Sequence, residues 1–217
     1  MKRIYIIVEG QTEKEFVQEI IAPYLQTYHI YSVTPILIHT SKIGRGGFVN
    51  YAHLKNDILK LLHSSQKDIL VTMLVDFFRC PELPHKEQWE AITDHKKQVE
   101  KMEYCIQEDI HDKRFIPYIQ LHEFEALLFA SNAGFEEYFT ESQQKETNAI
   151  VQHYENPEDI NSTPEGAPSK RILAIRNNYD KVIQGNLIAL HVGIEKMLEK
   201  CPRFRKWIER LIEACNS

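Results

Sequence analysis

The chain has 217 residues, long enough for one large domain or one and a half small ones, and 43% are hydrophobic and 26% charged, the balance of an ordinary globular protein. Eight Gly and nine Pro exclude collagen-like and low-complexity classes, and no apolar run approaches the ~18 residues of a membrane helix. The net charge of −5 is uneven: residues 168–217 hold ten Lys/Arg and five Asp/Glu, so residues 1–167 carry −10, which argues against a protein that grips nucleic acid chiefly through a broad basic surface.

Residues 3–8 (RIYIIV) form a short β-branched and aromatic run, the pattern of a buried first strand rather than a signal-peptide core. In EGQTEKEF, Thr12 followed by Glu15 predicts a capping box, and Phe16, Val17, Ile20, Ile21 and Leu25 give the helical stripe. Residues 31–39 predict a second strand whose Pro35 suggests a bend or a sheet edge. A loop with GRGG (44–47) follows, then helical spacing at Tyr51, Leu54, Ile58, Leu61 and Leu62. Residues 68–77 are the third and most apolar strand, residues 86–111 a charged helix and residues 114–121 a fourth strand, after which HEFEALLFA starts a helix.

Such alternation predicts an α/β fold: a four-stranded, mainly parallel sheet with helices on both faces, over residues 1–130. Residues 131–217 hold no convincing strand and read as a helical extension packed on that domain. Its last helix carries a stripe of Phe204, Trp207, Ile208, Leu211, Ile212 and Cys215, which suits packing against the sheet. Cys80, Cys105, Cys201 and Cys215 are far apart with no CxxC, which fits a reduced cytoplasmic setting.

Ligands of parallel sheets bind beyond the carboxyl ends of the strands. Glu9 follows strand one, Asp76 closes strand three, and His122, Glu123 and Glu125 follow strand four. The loop after strand two brings Lys42, Arg45, Gly46 and Gly47. Carboxylates gathered on one rim repel one another and call for a cation, and oxygen ligands of this kind suit Mg²⁺ or Mn²⁺. Glycines let backbone N–H groups approach a phosphate.

Each residue has a plainer role beside the functional one. Glu9 can cap the helix that follows it, and one of Glu123 and Glu125 can serve only the dipole of its helix. Asp76 in a buried strand needs a partner or a metal. His122 has three open roles: metal ligand, hydrogen-bond partner of a carboxylate, or phosphate contact. Glu13 lies one turn beyond Glu9 and reads as its support. In GAPSKRI (166–172), Ser169 is placed to cap a helix, with Lys170 and Arg171 beside a possible phosphate site.

VEGQTE after a first strand and an aspartate closing the third resemble the TOPRIM fold of topoisomerases, primases and the overcoming-lysogenization-defect (OLD) nucleases. The chain is more similar to a bacterial family of TOPRIM-like proteins often encoded beside AAA/ABC-type ATPases in anti-phage settings. The segments that carry this are IVEGQTEKEFV (7–17), GGFVNYAHLKNDILKLL (46–62), LVDFFRCP (74–81), RFIPYIQLHEFEALLF (114–129), APSKRI (167–172) and CPRFRKWIERL (201–211). The resemblance implies a TOPRIM metal site for Mg²⁺ or Mn²⁺, with Glu9 as ligand or general base and Asp76 as the first aspartate of the DxD pair. Phe78 stands where the second aspartate is expected, leaving Glu123 and Glu125 to replace it. Lys170 is similar to a lysine that steadies the charge of the reacting phosphate. The implied activity is phosphodiester hydrolysis of DNA or RNA alongside an ATPase subunit. A silent regulatory subunit of such an ATPase, favoured by Phe78, is the alternative. A phosphotransferase or phosphatase acting on nucleotides is a third, weaker reading. The hydrolase reading requires acids distant in sequence to converge on one point rather than each pairing with a cation of its own.

Overall fold

A computed structural model describes residues 2–39, 50–64, 68–78, 80–160, 163 and 166–217. Five strands form one parallel sheet: β1 (Arg3–Val8), β2 (Val33–Leu37), β3 (Ile69–Asp76), β4 (Phe115–Ile116) and β5 (Ile119–Gln120). Their order is β2-β1-β3-β4, with β5 also beside β3. Pro35 lies in the edge strand β2, where a missing donor costs no ladder bond on the open side. The fourth strand is divided: Pro117 has no N–H to give, so β4 stops before it and β5 resumes after it.

The sheet buries both faces, and the side chains of each strand alternate between two cores. Ile4, Ile6, Val8, Leu70 and Leu74 face one, and Ile7, Ile69, Val71, Met73 and Val75 the other. The second core is closed by α3 (Tyr51–Leu62) and α4 (His95–Ile110). The first takes a continuous helical segment made of α1 (Gln11–Phe16), a π-turn (Val17–Ile21) and α2 (Ala22–Gln26). Each side chain fully buried in these cores contributes about 1.5–3 kcal/mol.

The charged helix expected over 86–111 is shorter. Asp94 accepts from the backbone N–H groups of Lys96 and Lys97 and starts α4 there, and Lys86–Gln88 form a separate 3₁₀ turn. The capping box at Thr12 is not formed. The first helix begins two residues earlier, at Gln11, with Gly10 in place of Thr12 before it, and Thr12 is buried inside the first turn. That earlier start places Glu13 on the inner side, also buried. HEFEALLFA becomes a 3₁₀ segment, Phe124–Ala130, buried throughout.

The described residues beyond 130 form helices: α5 (Ala133–Glu136), α6 (Glu141–His153), α7 (Pro168–Ile175), α8 (Ile183–Val192), α9 (Ile194–Lys200) and α10 (Pro202–Asn216), with a 3₁₀ turn at Pro157–Asp159. Phe204, Trp207, Ile208 and Leu211 of α10 lie in the same core as Ile4 and Leu70. The Trp207 ring stacks on Tyr118 at 4.4 Å, and its indole N–H donates to Thr72 Oγ1, which donates in turn to the Ile116 carbonyl. A buried indole thereby meets its polar need inside the sheet. The α10 N-terminus is closed by Glu158, which accepts from the backbone N–H groups of Arg203 and Phe204.

Candidate functional site

β1 and β3 run parallel with Val8 beside Leu74, so Glu9 and Asp76 emerge at the same end of the sheet. β5 pairs Asp76 with Gln120 and delivers Glu123 and Glu125 three and five residues later on that rim. At its centre stands Lys181, in the turn between α7 and α8. Its Nζ is 3.3 Å from Glu13 Oε1, 3.3 Å from Asp76 Oδ2 and 3.3 Å from Glu125 Oε2. Three segments far apart in the chain thus aim carboxylates at one point, and that point is an ammonium.

Local hydrogen bonds hold each group. Asp76 turns its other oxygen to the backbone N–H of Phe124 at 2.9 Å, which locks the 3₁₀ segment onto the end of β3. Gly10 lets Glu13 fold back close to the chain, since a Cβ there would lie 3.1 Å from Glu13 Oε2. Lys181 is steadied by its turn: Asp180 Oδ1 accepts from the Ile183 N–H, and Gln184 Oε1 accepts from the Asp180 N–H. Asn186 ties α8 to the first helix by donating to the Thr12 carbonyl at 3.2 Å.

The electrostatics follow from burial. Asp76 is held well above the usual carboxylate range, first by burial, against the pull of Lys181, and further by the nearby charges of Glu13, Glu9 and Glu125. Glu125 is wholly buried and is raised for the same first reason, with Lys181 opposing and Glu123 adding. Glu125 Oε2 faces the Lys181 ammonium at 3.3 Å, an ion pair inside the protein. Burial disfavours the Lys181 charge, yet Asp76, Glu125 and Glu13 outweigh it and raise its pKa. Four carboxylates (Glu13, Asp76, Glu123 and Glu125) therefore share the field of one lysine, and Glu9 adds its charge beside Asp76.

Glu123 binds elsewhere in part: its Oε2 accepts from the backbone N–H of Ser169 at 2.9 Å. This corrects the expectation for the 166–172 segment. Ala167, not Ser169, precedes α7, and the helix N-terminus meant for a phosphate already meets a protein carboxylate. Arg171 donates to the Gly166 carbonyl at 2.9 Å and to the Tyr154 hydroxyl at 3.1 Å, while Lys170 is exposed on α7. His122 lies beside the rim, buried, with its pKa pushed down to about 4 by that burial. Lys42, Arg45, Gly46 and Gly47 lie outside the described residues. Phe78, at the position of the expected second aspartate, donates its backbone N–H to the His122 carbonyl.

Two members of the cluster were not read from the sequence as direct participants. Glu13 was placed behind Glu9 but itself touches Lys181. Lys181 sits in a polar NNYDK turn, 105 residues after Asp76, with no local pattern to mark it.

The acids fit a divalent ion in donor chemistry: all are oxygen ligands, three of them converge on one point, and Glu125 is wholly buried there. In the arrangement held around Lys181, no group of three or more His, Cys, Asp or Glu among the described residues has metal-holding geometry. Lys181 Nζ occupies the point on which these oxygens converge.

A family model described as a domain of unknown function (DUF4276) matches residues 8–212. None of the curated proteins matches the chain. Among solved structures, the C-terminal region of the Burkholderia pseudomallei OLD protein is similar at 15% identity and a TM-score of 0.48, over 99% of each chain. The C-terminal region of the Xanthomonas campestris pv. campestris OLD protein is similar at 14% identity and a TM-score of 0.45, over 100% of this chain and 97% of that one.

Proposed function

The chain belongs to the family described as a domain of unknown function, DUF4276, and for this member we propose phosphodiester hydrolysis of DNA or RNA on a TOPRIM-like sheet, dependent on Mg²⁺ or Mn²⁺. The observation that carries the reading is the meeting of Glu13, Asp76 and Glu125 at 3.3 Å around one ammonium. Buried acids at such closeness need a cation among them or protons on some of them, and Lys181 shows the cluster holding a cation.

Glu9, Glu13, Asp76 and Glu125 are the groups that would hold the ion, with Glu123 beside them. A bound divalent ion supplies positive charge to the phosphate oxygens and lowers the pKa of a water. The remaining work belongs to the protein. Glu125, raised by burial, is suited to take the proton of the attacking water. Lys181, released from the acids, presents its ammonium to the developing charge, the role expected of Lys170. An ATPase subunit in a cytoplasmic defence system is the proposed partner. Two observations are consistent with that setting: all four cysteines are free, and no helix among the described residues is long and apolar enough to cross a membrane.

A second reading, a silent subunit that regulates a partner ATPase, is favoured by Phe78 and by Lys181 as a permanent counterion. Cleavage of end-labelled single- and double-stranded oligonucleotides in Mn²⁺ and in chelator separates the two. The hydrolase reading predicts metal-dependent products that Asp76→Asn abolishes; that variant keeps an acceptor for the Phe124 N–H. No cleavage by the wild type with its partner present favours the silent subunit, and equal cleavage by the variant removes this acid cluster from the reaction.

A further inference from the structure

The open edge of the sheet, where Pro117 parts β4 from β5, is flanked by α4 on one face and α10 on the other. Between the two helices lies a groove of about 570 Å³, within the range of ligand sites. Pro117, Tyr118, Pro202 and Trp207 give it apolar lining. One face of each helix forms a wall: Glu100, Glu103, Tyr104 and Gln107 on α4, and Arg203, Lys206 and Arg210 on α10, all at helical spacing. The groove starts close to the acid cluster, because Arg203 donates to the Ile119 carbonyl at 3.4 Å and the next residue, Gln120, pairs with Asp76.

The lining selects among occupants. A peptide strand is refused as an extension of the sheet: Pro117 has no N–H, and Ile119 is closed by side chains. The Ile119 N–H donates to Glu103 Oε1 at 2.8 Å, and its carbonyl is the one that accepts from Arg203. Charge favours an anion. Both acids of the α4 wall are bound to Arg203, Glu103 at 2.7 Å and Glu100 at 3.6 Å. Lys206 and Arg210 are exposed and make no ion pair among the described residues. On the opposite wall the Tyr104 ring is 54% exposed, with the Lys101 ammonium 4.6 Å from its centre. A merely solvated helix face accounts for the cations but not for an exposed ring facing an apolar-lined groove beside them. Cations along a groove and an aromatic platform are the two parts of a single-strand site: one takes phosphates, the other stacks a base of any sequence. An acidic peptide would meet the cations and leave the ring without a planar partner.

We infer that the groove between α4 and α10 holds single-stranded nucleic acid running on from the acid cluster, with phosphates on Lys206 and Arg210 and a base on Tyr104. The inference rests on the phosphodiester reading but is tested without it, by binding in chelator, where no metal-dependent cleavage occurs. Fluorescence anisotropy of a labelled single-stranded oligonucleotide of mixed sequence with the full chain should show saturable binding that weakens with salt. Lys206→Gln with Arg210→Gln should weaken it about tenfold and flatten the slope of log affinity against log salt by about 1.4, roughly 0.7 for each lost phosphate contact. Tyr104→Ala should weaken it about tenfold with the salt slope unchanged, and Tyr104→Phe, which keeps the ring, should bind as the wild type does. All three side chains are exposed, so these substitutions spare the core. Polyglutamate should not displace the strand, and a duplex of the same sequence should bind more weakly because its bases are already paired and stacked. No saturable binding by the wild type, unchanged affinity and slope in the double variant, no loss in Tyr104→Ala, or equal binding of the duplex or polyglutamate overturns the inference and leaves cleavage to its own assay. Strand binding that depends on these residues, without cleavage by the wild type, counts against the hydrolase alone.

Discussion

Lys181 touches three carboxylates and is the cation that makes their burial tolerable in the metal-free chain. Lys181→Met should lower stability in chelator by roughly 2 kcal/mol, less than a fully buried pair because the lysine side chain is 37% exposed and water screens it. Mn²⁺ should restore most of the loss, a recovery seen as a rise in thermal midpoint larger than the wild type shows. Titration gives a second signature. Burial raises Asp76 and Glu125 in the folded state, so the folded chain keeps protons that the unfolded chain has released. Their stabilising contribution is complete below the ordinary carboxylate range, about 4, and is lost as pH rises through the raised values. Glu103 and Glu158 are shifted the same way by burial and add to the trend. His122, lowered to about 4, acts in the opposite sense in the same window, so the thermal midpoint in chelator should fall from mild acid toward neutral pH more in the wild type than in the pair Asp76→Asn with Glu125→Gln. Mn²⁺, or the pair Asp76→Asn with Glu125→Gln, should remove the part that belongs to the cluster.

Among the elements, the strands were legible because each is an apolar run ending in a polar residue. The same runs located Glu9 and Asp76, since a strand end is where the pattern stops. The division at Pro117 was within reach of the same reasoning, as a ladder cannot continue through a residue without a donor. The start of the first helix was not: Thr12 with Glu15 has the pattern of a cap, and only tertiary packing of Thr12 and Glu13 shows why Gln11 begins the helix. Helix contacts in the 131–217 region carry their own test. A Cβ on Gly134 in α5 would lie 2.4 Å from the Ile188 carbonyl and 2.9 Å from Val192 Cγ2 in α8. Gly134→Ala should cost about 2 kcal/mol by chemical denaturation while leaving Mn²⁺ affinity unchanged, because it strains a packing contact and touches no acid. Unchanged stability would mean that α5 and α8 are free to separate.

For the whole molecule, the acidic balance of residues 1–167 has a local cause at the strand ends, where Glu9, Glu13, Asp76, Glu123 and Glu125 gather. The sheet brings these acids together from segments a hundred residues apart, and the turn before α8 supplies the neutralising charge from the basic stretch of the sequence. Which acids would gather could be read from strand order; which cation would hold them could not, because a turn lysine has no periodicity and gains meaning only when the chain folds. The central claim is that this place, now filled by Lys181, receives a divalent ion. Calorimetric titration of Mn²⁺ into the wild type, Asp76→Asn and Lys181→Met tests it most directly. The account predicts saturable binding to the wild type, at least tenfold weaker binding to Asp76→Asn, about 1.4 kcal/mol or more, and tighter binding to Lys181→Met, which lacks the internal competitor. No saturable binding by the wild type or by Lys181→Met, or equal affinity in Asp76→Asn, would contradict it.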